Sequence, residues 1–372
     1  MVIIFFVVVA VYSLLAFFTA IYIGKTIAKK INRVAFYVGW GLLSYLFFIG
    51  RAVSGFLPDI VNRVIYVVGC TWLVVILYAD ILMALLLLAR YIAKKCDRDI
   101  APLNRGTVVA LTIALALIIG VGTYNAYSTH TTHYTVVDNS MQRGDTIRVA
   151  FVSDLHLGLA IRQDDSERLV KLINDANADI CLIGGDFFDG DTRTVIDNDL
   201  AAPMSRINCK YGTYGVVGNH DYMAQNAEVV AYLQQKGIVV LKDSAVDVAG
   251  FRIIGRDDLS IGRMGIKRAN LDALTDSLPA IVVDHQPAAI DESVKIGALL
   301  HLSGHTHAGQ VFPMNFATSA IYDLDYGKKI YSTADGGHTV AIVTSGFGTW
   351  GPRARVGTIS EIVIIDIVGS KF

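Results

Sequence analysis

Charge is what this chain lacks. Acidic and basic residues together fill 17% of its 372 positions, while apolar residues fill 53%. The mean hydropathy is +0.48. An ordinary soluble domain carries about 25% charged residues, so this composition excludes a wholly water-exposed globule. A basic excess is lacking too: 32 Lys and Arg face 33 Asp and Glu, a net charge of −1. That balance removes the electrostatic footprint of nucleic-acid binding, and no nucleic-acid partner is expected. Cysteine is scarce. The four present are Cys70, Cys96, Cys181 and Cys209, none in a CxxC spacing. The chain therefore has neither a cysteine metal motif nor a disulfide framework. No internal repeat or low-complexity tract stands out.

The deficit of charge is uneven. It is concentrated before residue 127, and residues 2–24 carry no charge at all. At 1.5 Å per residue that stretch reaches roughly 34 Å, enough to cross a hydrocarbon core. It has no basic leader and no small-residue cleavage site after it, which argues for a retained span rather than a signal peptide. Three more apolar runs follow at about 34–57, 64–89 and 107–126. The expectation is four transmembrane helices within residues 1–126, a linker over 127–146 and a second domain over 147–372. Arg51 lies close enough to its span end to snorkel to the interface. Asp80 lies deeper, as a buried ion or substrate contact or as a hydrogen-bond partner of a neighbouring helix. Lys25, Lys29, Lys30 and Arg33 follow the first run, and Arg90, Lys94, Lys95, Arg98 and Arg105 the third. The positive-inside rule puts both loops in the cytoplasm. The expected product is a multi-pass protein of the cell membrane, partnered with the lipid bilayer, whose second domain is extracytoplasmic.

From residue 147 onward, short apolar runs alternate with amphipathic helical patterns. Residues 147–153 and 179–184 read as buried strands, and Leu169, Leu172 and Ile173 mark a helix between them. Further strands are expected at 213–217, 238–241, 251–255, 280–284, 298–303, 339–344 and 359–367. Some follow helices and others follow one another directly, which predicts a mixed α/β domain with two sheets.

Polar residues gather where these strands end. Asp154 and His156 follow the first, and Asp186 the second. Asn219, His220 and Asp221 follow the third. His285 follows a later strand, and His305 and His307 the next. In α/β sheets, functional groups collect beyond the carboxyl ends of strands. Imidazoles with carboxylates suit Mn, Fe or Zn better than Ca. Two such ions about 3.5–4 Å apart can clamp a phosphoryl group and acidify the attacking water. Ions that close require a shared anion, and Asp186 is the natural bridge. Asn219 adds a neutral oxygen. His220, unneeded as a ligand, is placed to protonate the departing oxygen. Asp221 either orients it or is a loop carboxylate without a role.

The ordered pieces SDLHLG (153–158), GGD (184–186), GNHD (218–221), DHQP (284–287) and SGHTHAGQ (303–310) resemble the calcineurin-like metallophosphoesterase family. The tail SGFGTWGPRARVG (345–357) is similar to its membrane-associated bacterial branch of the YkuE and YaeI type. The resemblance covers residues 147–367. It implies a four-layer sandwich, two mixed sheets flanked by helices. It implies one divalent metal ion on Asp154, His156, Asp186 and His307, and a second on Asp186, Asn219, His285 and His305, with His220 as the acid. Ala308 departs from the pattern, since relatives often carry Gly there. In the tail, Arg355 either grips substrate phosphate or is a solvated loop arginine.

The expected activity is metal-dependent hydrolysis of a phosphodiester or pyrophosphate bond in a lipid-linked or envelope substrate. Alternatives are a tethered nucleotide phosphodiesterase, a cytoplasm-facing hydrolase of nucleotide-linked lipids, and a receptor or scaffold with a vestigial metal site.

Overall fold

The computed structural model describes residues 2–27, 32–53, 56–98, 105–334 and 336–371, with side chains from residue 9 onward and without those of Thr26, Ile27 and Arg105. Lys29, Lys30 and the side chain of Arg105, used above to orient the spans, lie outside the described residues. The chain divides into two compact units, Met1–Thr123 with Gly351–Ala354, and Tyr124–Trp350 with Arg355–Phe372.

The first unit is helical. Helices α1 (Val2–Ile27), α2 (Arg33–Val53) and α3 (Asp59–Lys95) belong to it, and α4 (Arg105–Tyr127) begins in it. Among the described residues, Arg33–Val53, Asp59–Lys95 and Gly106–Tyr127 are long and apolar enough to cross a membrane. In α1 the stretch with described side chains that is comparably apolar is shorter, Val9–Lys25. Helix α3 exceeds the expected 64–89. Its 37 residues extend about 55 Å, well beyond a ~30 Å hydrocarbon core, so its basic end, Lys94 and Lys95, continues past the apolar part. Asp80 accepts a hydrogen bond from Thr19 of α1, as the helix-to-helix reading foresaw.

The second unit is built on two sheets of six strands. The first contains β1 (Thr129–Gln142), β2 (Thr146–Val152), β3 (Ile180–Ile183), β4 (Thr213–Gly215), β5 (Ile238–Val240) and the C-terminal β12 (Ser360–Lys371), in the order β1-β12-β2-β3-β4-β5. The second contains β6 (Ser244–Val248), β7 (Phe251–Gly255), β8 (Ala280–Val283), β9 (Leu300–Ser303), β10 (Gly327–Ser332) and β11 (His338–Val343), in the order β10-β11-β9-β8-β7-β6. Each sheet has a parallel centre, β2 to β5 in one and β7-β8-β9-β11 in the other.

Period-two side chains make the core. Val149, Phe151, Ile180, Leu182, Val363 and Ile365 of the first sheet pack with Ile253, Ile281, Val283, Leu300, Leu302 and Ile342 of the second. The alternate positions Ile254, Ala280 and Val282 face the other way and pack under Leu271. Both faces of these central strands are buried, which is why they read as unbroken apolar runs.

One boundary differs from the sequence expectation. Residues 129–142 are a strand, not part of a linker. Strand β1 pairs parallel with β12 from Thr129 opposite Ser360 onward. It is an edge strand, and most of its side chains are exposed or half-buried. Without an apolar face its sequence shows no period, although Thr at 129, 131, 132 and 135 is β-branched and favours extended backbone. Strands β6 and β10, at the edges of the second sheet, were missed for the same reason.

Candidate active site

The parallel strands all point their carboxyl ends at one rim. Strand β2 runs out into Asp154 and His156, β3 into Asp186, β4 into Asn219 and His220, β8 into His285, and β9 into His305 and His307. The first two loops are laced together by backbone: the amides of Asp154, His156 and Leu157 donate to the carbonyls of Gly185, Asp186 and Phe187. The backbone here is unusual. Asp154, His156, Asp186, His305 and His307 all have φ between 48° and 71°. Non-glycine residues rarely adopt the left-handed region, and such strain clusters at functional sites. Ala308 shares it at φ 50°, so the position where the sequence departs from the family pattern is one that favours glycine. Gly218 is required for a different reason. A Cβ there would overlap the Asp186 carboxylate.

The side chains converge in three overlapping groups: Asp154, His156 and His307; His156, Asp186 and His220; Asp186, His285 and His305. His156 Nε2 lies 3.1 Å from His307 Nε2 and 3.7 Å from Asp186 Oδ2. His307 Nε2 lies 3.6 Å from Asp154 Oδ1. On the other side, His285 Nε2 is 3.2 Å from Asp186 Oδ2 and 3.2 Å from Asn219 Oδ1. His305 Nδ1 is 3.3 Å from His285 Nε2. Asp186 thus stands in both halves of the cluster. Its other oxygen accepts the His220 amide at 2.8 Å, and the His305 amide fixes Asp154 at 3.0 Å.

This arrangement fits divalent cations. The Nδ1 of His285 is 2.8 Å from the Gly184 carbonyl, to which it must donate. Its Nε2 faces the Asp186 carboxylate and the Asn219 amide oxygen. Burial disfavours the charged ring, but Asp186 and Asp154 outweigh it and raise its pKa well above the ordinary value, so Nε2 holds a proton that a bound cation would replace. Burial holds His156 near a pKa of about 3 and His305 near about 4, and drives His307 well below its ordinary value. These rings are neutral at physiological pH, the form that ligates metal. Burial pushes the Asp186 carboxyl upward, but His285 and His156 outweigh it and hold it below the usual carboxylate range. Burial raises the Asp154 carboxyl to about 6, against the nearby charge of His285.

Residues 147–309 match the family model described as calcineurin-like phosphoesterase. The chain carries a calcineurin-like phosphoesterase domain. A metallophosphoesterase of Aquifex aeolicus is 29% identical over 68% of this chain and 98% of its own length. A zebrafish (Danio rerio) transmembrane protein with a metallophosphoesterase domain is 31% identical, over 59% of this chain and 52% of its own. The metallophosphoesterase YkuE of Bacillus subtilis is 27% identical, over 64% of this chain and 85% of its own. The chain therefore spans nearly all of the Aquifex relative and about half of the zebrafish one. The two-sheet α/β architecture is that of the phosphoesterase fold, and the family places the chain among metal-dependent hydrolases of phosphate esters.

Within the phosphoesterase domain, two expected residues have other roles. Asp221 does not face His220. Its carboxylate accepts the amides of Gly218 at 2.8 Å, Phe188 at 3.0 Å and Phe187 at 3.3 Å. It ties the β3 and β4 loops together from a fully buried position, where burial raises its pKa to about 7. Arg355 is neither solvated nor open to substrate. It is fully buried, and its Nη2 donates to the carbonyls of Ser345, Gly346 and Gly348 at 2.7, 2.9 and 2.6 Å. It clamps the loop whose Gly348 amide bonds the Asp154 carbonyl.

Sequence reasoning missed Asp189. Its Oδ1 lies 3.7 Å from His220 Nδ1 and 3.7 Å from His156 Nδ1. A carboxylate there favours a protonated His220 and fixes its ring. Its signal was only a position three residues after Asp186. Replacing Asp189 by Asn is expected to lower kcat about 10–100-fold, in line with loss of an orienting partner. The alkaline limb of the pH–rate profile, where a general acid loses its proton, should move to lower pH with it. An unshifted profile would show that Asp189 serves structure alone.

Proposed function

We propose that this chain hydrolyses a phosphodiester or pyrophosphate bond in a lipid-linked or envelope substrate, using two divalent ions of the Mn, Fe or Zn type. The observation that carries the chemistry is Asp186, with imidazole nitrogens within 3.7 Å on its two sides. Asp154, His156, Asp186 and His307 would hold one ion, and Asp186, Asn219, His285 and His305 the other. When bound, the ions would supply positive charge for the phosphoryl oxygens and an acidified water as nucleophile. Asp154 and Asp186 leave such a site with surplus positive charge, which draws an anionic ester. His220 stands at the open side with its ring 14% exposed, held by Asp189, and donates a proton to the departing alkoxide or phosphate. Trp350 lies beside it, ring centroids 6.1 Å apart, and lines the path of that leaving group.

The lipid reading rests on chain connectivity. Helix α4 ends at Tyr127 and β1 starts at Thr129, with Ser128 alone between them. A single residue therefore tethers the domain's first strand to the end of an apolar helix. The excess of Lys and Arg after the first and third apolar runs favours an extracytoplasmic domain. Turnover of membrane phospholipids and nucleotide-linked lipids, set against a panel of soluble nucleotides, tests the substrate class. Turnover of soluble nucleotides alone would overturn it.

Metal removal has its own expected outcome. A ligand present at 100 times its Kd stabilises by about 2.7 kcal/mol per site. At roughly 2–4 °C per kcal/mol for a domain of this size, chelation should lower the melting temperature by about 5–10 °C for each ion removed. Activity should return on adding back Mn or Zn. A melting temperature indifferent to both chelator and metal would count against the dinuclear site.

A further inference from the structure

Beyond the active site, residues 308–322, AGQVFPMNFATSAIY, form a stretch of the phosphoesterase domain without Asp, Glu, Lys, Arg or His. It does not read as core. Phe312 is 44% exposed, Met314 45%, Phe316 64% and Ile321 72%. The helix Asn315–Ile321 within it has no buried residue. Phe312 and Phe316 rest on each other, ring centroids 5.6 Å apart. Several large exposed apolar side chains in one uncharged segment mark an interaction surface.

Three contacts locate this segment. First, it is fastened to the catalytic rim. Gln310, three residues beyond the proposed ligand His307, donates to the Trp350 carbonyl at 3.0 Å and accepts the Trp350 amide at 2.9 Å. Trp350, 55% exposed, is the residue beside His220. Second, the Phe312 amide bonds the Val356 carbonyl at 2.8 Å, so the lip is anchored on a second strand of chain. Third, it neighbours the end of α4. Asn125, in the last turn of α4, donates to the Arg355 carbonyl at 3.2 Å. Asn125 also lines a cavity of about 560 Å³ together with Asn315 and Ser319 of the short helix. Asn315 and Ser319, four residues apart, share the face turned to that cavity, while Phe316 is on another. Beside Asn125, Tyr124 and Tyr127 are 68% and 49% exposed. Tyrosines at the end of an apolar helix mark the level of a membrane–water interface. The lip lies one cavity away from that level.

We propose that residues 312–321 insert into the interfacial layer of the bilayer that α4 leaves, with Phe312, Met314, Phe316 and Ile321 in contact with acyl chains. The occupant of this face is lipid, not a protein, because Asn125, between the interface tyrosines Tyr124 and Tyr127, lines the same cavity as Asn315 and Ser319. Phe316 and Ile321 exposed on a short uncharged helix, with Phe312 and Met314 exposed just before it, suit shallow burial at the headgroup boundary. An ester drawn from that layer would pass Trp350 before reaching His220. This last step rests on the lipid-substrate reading, whereas the insertion itself does not.

The test uses the full chain in vesicles of phosphatidylcholine and phosphatidylglycerol. Phe316→Cys and, as a control, Gln235→Cys are each labelled with a polarity-sensitive fluorophore in a Cys96→Ser/Cys209→Ser background. Gln235 precedes β5, at the opposite edge of the first sheet from β1. Brominated lipids should quench the label at 316 several-fold more than that at 235, and equal quenching would overturn the proposal. In a second arm, Phe316→Glu/Ile321→Glu should cut hydrolysis of a vesicle-embedded phosphodiester about 10-fold while leaving hydrolysis of bis(p-nitrophenyl) phosphate unchanged. An unaltered ratio of the two activities would overturn presentation of lipid by the lip. If the native chain turns over no lipid, quenching at 316 still supports insertion, and the failure belongs to the substrate reading.

Discussion

Asp186→Asn is expected to lower kcat/KM on a phosphodiester by about 10²–10⁴-fold and to reduce bound metal from two ions toward one or none. The substitution keeps the shape of the side chain and removes its charge. Asp186 Oδ2 stands 3.2 Å from His285 Nε2 and 3.7 Å from His156 Nε2, so one oxygen serves both halves of the cluster. Two dications held close together repel strongly, and only a shared anion offsets that repulsion. Removing one partner from a buried charge pair costs roughly 3–5 kcal/mol, and each 1.36 kcal/mol is tenfold in rate. The Asn variant retains an acceptor for the His220 amide, which Asp186 Oδ1 receives at 2.8 Å, so the loop should remain folded. Metal analysis of the purified variant and its rate on bis(p-nitrophenyl) phosphate give the two readings. Full metal content with undiminished rate would remove Asp186 from the bridge.

The second large effect belongs to His220. His220→Asn should slow hydrolysis about 10²–10⁴-fold for esters with poor leaving groups, the usual size of a general-acid contribution. It should barely affect esters of acidic phenols, which depart without a proton. Metal content should not change, because the proposed ligand sets do not include His220. A uniform loss across leaving groups, or loss of metal, would instead make His220 a ligand. Three contacts support the proposed acid role. His220 is held over the cluster by its own amide on Asp186, its ring is 4.7 Å from that of His156, and Asp189 faces its Nδ1. This leaves Nε2 as the nitrogen for proton donation.

Much of this was legible in the sequence because burial imposes patterns. Central strands covered on both faces must be apolar, so β2, β3, β8, β9 and β11 announced themselves, and their carboxyl ends pointed to the Asp, Asn and His residues that the fold brings together. Edge strands obey no such rule. Strand β1 is specified by its pairing with β12, 231 positions away at Thr129 and Ser360, and a partner that distant leaves no local trace. The roles of Asp221 and Arg355, each open to two readings in the sequence, and the place of Asp189 were not legible for a related reason. A carboxylate one residue from His220 points into the turn and satisfies three amides, whereas one 31 positions earlier reaches the imidazole.

By itself, then, the sequence determined the membrane-type helices, the two-sheet α/β class, the phosphoesterase family and the residues at its rim. These follow from composition and period, which each segment carries alone. Only the tertiary structure decided which carboxylate faces His220, that Arg355 clamps a loop from inside, that α4 passes almost directly into a sheet, and that an uncharged apolar lip stands beside the site. Each of these depends on where distant segments meet and on which side chains are left in the open once the core has closed.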